Sequence, residues 1–164
     1  MRVFRIALKK YGATDRDAFD GRSGYSADGR WHTRGRYLDY ASGSRSLATL
    51  ERLVHYKRFN FLEPHMIYEL KIPDEHIETV LAPPPGWDGD DLLMAAQEIG
   101  NRWCDKAGSP ALQVPSAVTR GEHNLMLNSR HPAWDWKWVV SSGPFDFDNR
   151  LVEFLKKQVR VRGR

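Results

Sequence analysis

The chain has 164 residues, 41% of them hydrophobic and 12% aromatic, which supplies core material for one folded domain and excludes disorder. A single cysteine, Cys104, excludes a disulfide framework and a multi-cysteine zinc site, and no apolar run approaches the ~18 residues of a membrane span. The net charge of +4 is uneven: residues 1–60 hold 13 Lys and Arg against 6 Asp and Glu, and residues 61–155 hold 7 against 15. The last nine residues hold five basic side chains and no acid. The basic balance is therefore no sign of a surface that coats nucleic acid, and an anionic ligand is expected at the N-terminal third. Localisation in the cytoplasm is the expectation.

Val3–Leu8 alternates, with Phe4, Ile6 and Leu8 on one face and Val3, Arg5 and Ala7 on the other, which predicts a strand. Asp15–Gly35 is rich in Gly, Asp, Ser and Arg and reads as loop. Tyr37–Ala41 is a short strand candidate. Ser44 or Ser46 then caps a helix through about Arg58, with Leu47, Leu50, Leu53 and Val54 as its apolar stripe and Glu51 at the border of that stripe. Met66–Ile72 alternates and predicts a strand. Ala82–Trp87 contains three consecutive prolines and predicts a stiff polyproline-type connector.

A second helix is expected from Asp90 or Asp91 through Lys106, with Leu92, Leu93, Ala96, Ile99 and Trp103 on one face and Gly108 as its stop. Leu112–Val118, Asn124–Asn128 and Trp136–Val140 are strand candidates. Asp148 caps a last helix with Leu151, Val152 and Leu155 inward, and Lys156–Arg164 reads as a solvated, partly disordered basic tail. Strands and helices follow each other without a βαβ rhythm, so the expected class is α+β in a single domain.

Phosphate-loop, GxGxxG, HExxH and GxSxG motifs are absent, and the six histidines show no ligand spacing that recommends a metal. Three stretches stand out. Gly29-Arg30-Trp31-His32-Thr33-Arg34-Gly35 is a cationic loop braced by an aromatic. Tyr40-Ala41-Ser42 precedes Leu47-Ala48-Thr49-Leu50-Glu51, which places a carboxylate one helical turn past a cap. Val114-Pro115-Ser116-Ala117-Val118 precedes Asn124-Leu125-Met126-Leu127-Asn128 and His131-Pro132. Taken singly, Arg30 reads as a partner for a surface acid, Glu51 as a bridge to a neighbouring Arg, and Ser116 as a small residue beside a proline.

In this order and at these spacings, the segments resemble the RES-domain family, named for its Arg, Glu and Ser, from Phe4 to Leu151. The chain departs from the family pattern at Asp28, where a second Gly is usual, and at His32, where Asn is common. The resemblance implies a RES domain over residues 1–155, followed by the tail at 156–164. It implies an ADP-ribosyltransferase-like split β-sheet around an NAD cleft, and a toxin partnered with an Xre-like antitoxin that masks the active site. NAD is then the substrate and no metal is required; a protein target is a further possible partner, and neither membrane nor nucleic acid is expected. The implied catalytic residues are Glu51, Ser116 and Arg30, and the implied NAD contacts are Arg5, Arg30, Tyr40 and Ser116.

The residue types suit that chemistry. Arg forks match a pyrophosphate, and an aromatic such as Tyr40 stacks on a cationic nicotinamide ring. Departure of neutral nicotinamide leaves an oxocarbenium-like ribose, which one carboxylate stabilises, and no general acid is needed. Ser116 is expected to orient the ribose or Glu51 rather than act as a nucleophile. The acceptor stays open at this point: water or phosphate makes a glycohydrolase or phosphorylase, a protein side chain makes a mono-ADP-ribosyltransferase. A non-enzymatic nucleic-acid-binding domain is the remaining alternative.

Overall fold

The alternation in the first eight residues forms an interior strand, β1 (Arg2–Leu8), in the computed structural model, which describes residues 1–55, 63–89, 91 and 93–162. Two short helices follow, α1 (Asp15–Ala18) and α2 (Arg22–Ser26), in the stretch expected to be loop. The Thr14 side chain accepts from the Asp17 N–H and so starts α1, a local cap that outweighs the glycine-rich composition. Next come β2 (Asp39–Ser42), α3 (Arg45–Val54), β3 (His65–Lys71), β4 (Ile77–Thr79) and α4 (Met94–Lys106). The chain ends with β5 (Ala111–Pro115), β6 (His123–Leu127), β7 (Val139–Phe145) and α5 (Asn149–Arg162).

The sheet order is β4-β5-β6-β2-β1-β3-β7, antiparallel except for the parallel β4–β5 pair, so the class is α+β as expected. β1 pairs with β3 from Arg2 to Leu8 but meets β2 only at Phe4 and Ser42. The sheet is thus two halves, β4-β5-β6-β2 and β1-β3-β7, joined at one register pair. Arg5 spans the opening beside that pair. Its Nη1 donates to the Tyr40 carbonyl (2.9 Å), its Nε to the Ala18 carbonyl (2.7 Å) and its Nη2 to Asp39 Oδ1 (2.7 Å). Asp39 is itself buried, and also accepts from the Gly21 N–H and the Ser23 hydroxyl.

The two faces of the sheet are packed differently. One carries a single large cluster that includes Val3, Ala7, Phe19, Tyr68, Leu70, Leu125, Leu127, Trp134 and Trp138. The other carries two smaller clusters. Trp31, Leu38, Trp103, Leu112, Val114 and Met126 gather against α4, while Phe4, Ile6 and Ile67 gather against Ala48 of α3. The polar side chains described below lie at the seam between these two clusters.

Several expectations need correction. The apolar stripe of α3 is rotated: Leu47 and Ala48 are buried, Glu51 and Arg52 are half-buried on the same side, and Leu50 and Val54 are exposed. Small Ala48 lets the helix settle on β1 and β3, and Glu51 is turned inward to its hydrogen-bond partners. The expected end of that helix at Arg58 lies outside the described residues. Helix α4 starts at Met94 rather than Asp90 or Asp91, with Asp90 and Leu92 outside the described residues, and it stops at Ala107 in the left-handed conformation (φ 46°) rather than at Gly108. The polyproline segment is folded into turns, with Trp87 N–H on the Pro84 carbonyl and Gly89 N–H on the Gly86 carbonyl.

Strand β5 ends at Pro115, and Trp136–Trp138 forms a 3-10 turn ahead of β7. β7 overlaps the expected strand Trp136–Val140 only at Val139 and Val140, and it runs on through Ser141-Ser142-Gly143-Pro144. An edge strand tolerates proline, and β7 pairs only with β3. Leu151, expected inward on α5, is exposed, while Leu155 has a side chain outside those described. The helical backbone of α5 continues to Arg162, through most of the expected tail.

Two predictions follow from this packing. Arg5→Ala removes one member of a buried ion pair and leaves Asp39 charged and under-partnered, so unfolding stability is expected to drop by about 3–5 kcal/mol in urea titration. His32 and His65 are both buried, and burial is the main cause that lowers each below the usual 6.5. The unfolded chain then binds more protons than the folded one as pH falls below 6.5. Their contribution to stability is complete above that pH and is lost as pH falls toward the lowered folded values. A melting midpoint that declines from pH 6.5 downward, with a shallower decline in His65→Phe, is the expected result.

Candidate active site

Helix α3 is capped by Ser44, whose Oγ accepts from the Leu47 N–H and donates to Glu122 Oε2 (2.9 Å) just before β6. This links the start of α3 to the turn between β5 and β6 and sets the direction of Glu51 about two turns further on. Glu51 Oε1 accepts from Ser116 Oγ (2.9 Å) and from Asn124 Nδ2 (2.6 Å). Ser42 Oγ donates to Asn124 Oδ1 (2.7 Å), so β2, β6, α3 and the residue after β5 meet in one buried polar chain. Both contacts fall on the same carboxylate oxygen. Among the described residues Oε2 accepts no hydrogen bond.

Ser116 sits immediately after Pro115 ends β5. Its side chain is buried, and its Oγ accepts from the N–H groups of Val118 (3.1 Å) and Thr119 (3.2 Å) while donating to Glu51. Its proton and both lone pairs are therefore in use, which suits an orienting group and leaves no free nucleophile.

Arg30 and Tyr40 come from the other side of the seam. Gly29–His32 forms a tight turn in which the Gly29 N–H donates to the His32 carbonyl (2.9 Å). Helix α4 holds this turn from behind. Gln97 Nε2 donates to the Gly29 carbonyl (3.0 Å), and any Cβ at Gly100 would overlap the Trp31 carbonyl. Arg30 Nη1 donates to the carbonyls of Trp87 (2.6 Å) and Gly89 (2.8 Å), and the Trp31 and Trp87 rings pack at 5.3 Å. The proline-rich turn is thus a bracket for Arg30. Its Nε and Nη2 make no hydrogen bond among the described residues, and these two nitrogens form one of the two edges by which guanidinium grips an oxyanion pair.

Tyr40 is half-exposed as a residue, but its hydroxyl is buried, with His32 Nδ1 2.9 Å away. Loss of solvent holds the phenol well above its ordinary range, so it stays protonated, and the charges of Glu51 and Arg30 act on it in opposite senses. The arrangement is an aromatic surface between a braced cation and a carboxylate with one open oxygen.

The structure therefore brings Glu51 and Ser116 into direct contact and sets Tyr40 within electrostatic reach of both Glu51 and Arg30. It does not bring Arg5 there. Strand alternation turns Arg5 to the face of Ala18 and Phe19, opposite Phe4 and Ile6, and all three of its nitrogens hold protein acceptors. Arg5 is corrected from a ligand contact to a structural bridge. Asn124 and Ser42 are the residues that sequence reasoning missed. Asn124 stood inside a noted run, and the signal for it was a polar residue at an inward position of a strand otherwise packed with Leu and Met. Among the described residues no group of His, Cys, Asp and Glu is arranged to hold a metal ion. No helix there is long and apolar enough to cross a membrane.

The chain is similar to several known proteins. A relative named Toxin Res from Yersinia enterocolitica is 33% identical over 156 residues, covering 92% of this chain and 99% of that protein. A protein named Prs ADP-ribosylating toxin from a Sphingobium species is 31% identical over 121 residues, covering 71% and 75%. Among solved structures, one from the M. tuberculosis MbcT–MbcA toxin–antitoxin complex superposes with a TM-score of 0.67 at 14% identity, covering 88% of this chain and 84% of that one, which is a likeness of fold. The RES domain family matches residues 2–148, and with nearly the whole chain inside that match this protein belongs to the RES domain family.

Proposed function

We propose that this protein is a toxin of a toxin–antitoxin pair that consumes NAD by breaking the bond between nicotinamide and ribose. One observation carries the reading. A half-buried carboxylate, Glu51, is pinned through Oε1 by Ser116 and Asn124 and keeps Oε2 open, on the same seam as an aromatic ring and a braced guanidinium. Two fixed donors on one oxygen set the direction of the other without neutralising the charge.

The steps follow from charge. The free Nε–Nη2 edge of Arg30 takes the pyrophosphate, and the Tyr40 ring stacks on the positively charged nicotinamide. When the glycosidic C–N bond breaks, its electron pair goes to the ring nitrogen, nicotinamide leaves neutral, and the positive charge passes to the ribose. Glu51 Oε2 stabilises that charge as it develops, in a setting where partial desolvation strengthens the attraction. An acceptor then adds to the ribose carbon and releases its proton. Ser116 and Asn124 act through Glu51, as positioning residues.

The acceptor is read as water or phosphate. A protein side chain is the second reading, favoured by the relative named as an ADP-ribosylating toxin. A partner that masks the seam, an Xre-like antitoxin, is part of the proposal and is supported by the toxin–antitoxin complex that the fold resembles. The deciding experiment incubates the protein with NAD and a cell extract and reads small molecules and proteins by mass spectrometry. Free ADP-ribose or its phosphate supports the first reading, and a protein-bound adduct supports the second. Intact NAD overturns both.

Glu51→Gln keeps an oxygen for Ser116 and Asn124 and deletes only the charge. The turnover number is expected to fall about 10²–10³-fold, on the order of 3–4 kcal/mol, with NAD affinity and melting midpoint little changed. Near-normal turnover in this variant removes the oxocarbenium role.

Arg30→Ala is expected to act mainly on KM, because a pyrophosphate contact is present in ground and transition states alike. Arg30→Lys should restore only part of the loss, since an ammonium cannot hold the bracket carbonyls and present a fork together. Steady-state kinetics on the two variants separates these outcomes.

A further inference from the structure

His32 is a buried titratable side chain that the proposed chemistry leaves without a task. The residue is 2% exposed, with Nδ1 2.9 Å from the Tyr40 hydroxyl and a buried Nε2 that has no hydrogen-bond partner among the described residues. A core imidazole with one unsatisfied nitrogen is costly, and a phenylalanine would fill the same space without that cost. What the imidazole adds is a single acceptor in contact with Tyr40.

The direction of that bond can be argued. Tyr40 keeps its proton, and burial, the largest influence on His32, favours the neutral ring. A neutral imidazole has one N–H and one bare nitrogen. The phenolic proton has no other acceptor among the described residues, so an N–H on Nδ1 would leave that buried proton unmet. Nδ1 is then the bare nitrogen, and the Tyr40 hydroxyl donates to it. Gly29 packs directly against this contact: a Cβ there would lie 3.0 Å from the Tyr40 oxygen and would overlap the His32 ring. His32 also belongs to the Gly29–His32 turn that carries Arg30, and its carbonyl receives the Gly29 N–H.

We propose that His32 is a positioning residue whose Nδ1 accepts the Tyr40 phenolic proton, locking the aromatic ring of β2 and the Arg30 turn into one geometry for the nicotinamide nucleotide. This rests on the NAD reading for its purpose but not for its geometry. Without the bond, Tyr40 and Arg30 are carried by separate segments and must be ordered by the ligand itself, which weakens binding more than it slows bond breaking.

The test uses the full chain and three variants. His32→Asn keeps an oxygen acceptor near the Nδ1 position, whereas His32→Phe keeps volume and removes the acceptor. Tyr40→Phe removes the proton from the other side. In His32→Phe, KM for NAD should rise about tenfold with kcat within about threefold, and His32→Asn should stay within about threefold of the parent on both. The double variant His32→Phe/Tyr40→Phe should be no worse than either single one, because the two changes break one bond.

On the free protein, ¹⁵N NMR should show His32 Nδ1 bare and Nε2 protonated, with the Nδ1 resonance moving in Tyr40→Phe. A protonated Nδ1, additive effects of the two Phe variants, or equal damage from His32→Asn and His32→Phe would overturn the proposal. If the protein leaves NAD intact, the functional reading fails, while the NMR comparison still decides the His32–Tyr40 bond.

Discussion

Where β1 and β2 part, backbone amides and carbonyls that would ordinarily pair across a sheet face each other over a gap. Arg5 fills it with three donors directed at Tyr40, Ala18 and Asp39. The gap is what a cleft-forming sheet requires, and a buried guanidinium is a demanding way to hold it, because the charge must be met by an equally buried carboxylate. Asp39 meets it and is fully committed in turn to Gly21 and Ser23. The loop from α1 to β2 is thereby tied to the sheet, and that loop delivers Arg30 and Tyr40. A residue whose three nitrogens all hold protein acceptors thus sets the place of two that are proposed to meet a ligand.

The polar chain Ser42–Asn124–Glu51–Ser116 occupies the seam between two apolar clusters on one sheet face. Neither cluster alone could direct a carboxylate. Together they fix α3 against β1 and β5–β6 against α4, and the hydrogen bonds then choose which way α3 faces. That choice places Glu51 inward and leaves Leu50 and Val54 exposed, against the apolar spacing of the helix. Hydrogen bonding to a charged group is worth about 1.5–3 kcal/mol per bond, comparable with burying an aliphatic side chain, so two such bonds can turn a short helix.

Much of this was legible in the sequence where a single local rule operates. The alternation of β1 and β3 and a serine cap at Ser44 or Ser46 could be read from residue types and spacing, whereas Arg30, Tyr40, Glu51 and Ser116 became site candidates through resemblance to a family. What escaped depended on partners distant in the chain. The inward turn of α3 needs Ser116 and Asn124, more than sixty residues away. The fate of Arg5 needs Asp39, and alternation alone put it correctly on the face away from Phe4 without saying what waits there. β7 contradicts its own composition and exists because β3 offers a free edge. The folding of the proline segment into turns is explained only by Arg30, whose guanidinium needs carbonyls turned toward it.

The distribution of the clamp along the chain has a consequence for synthesis. Glu51 leaves the ribosome long before Ser116 and Asn124, and β6, which carries Asn124, is the strand that joins β5 to β2. Until β6 emerges, the carboxylate lacks Asn124, and the β4–β5 part of the sheet, with Ser116 at its end, has no connection to β1 and β3. Prematurely terminated or unfinished chains therefore contain the charged group without the frame that orients it. Pairing across such separations is slow to form relative to local structure, so the site is completed near the end of folding rather than during elongation.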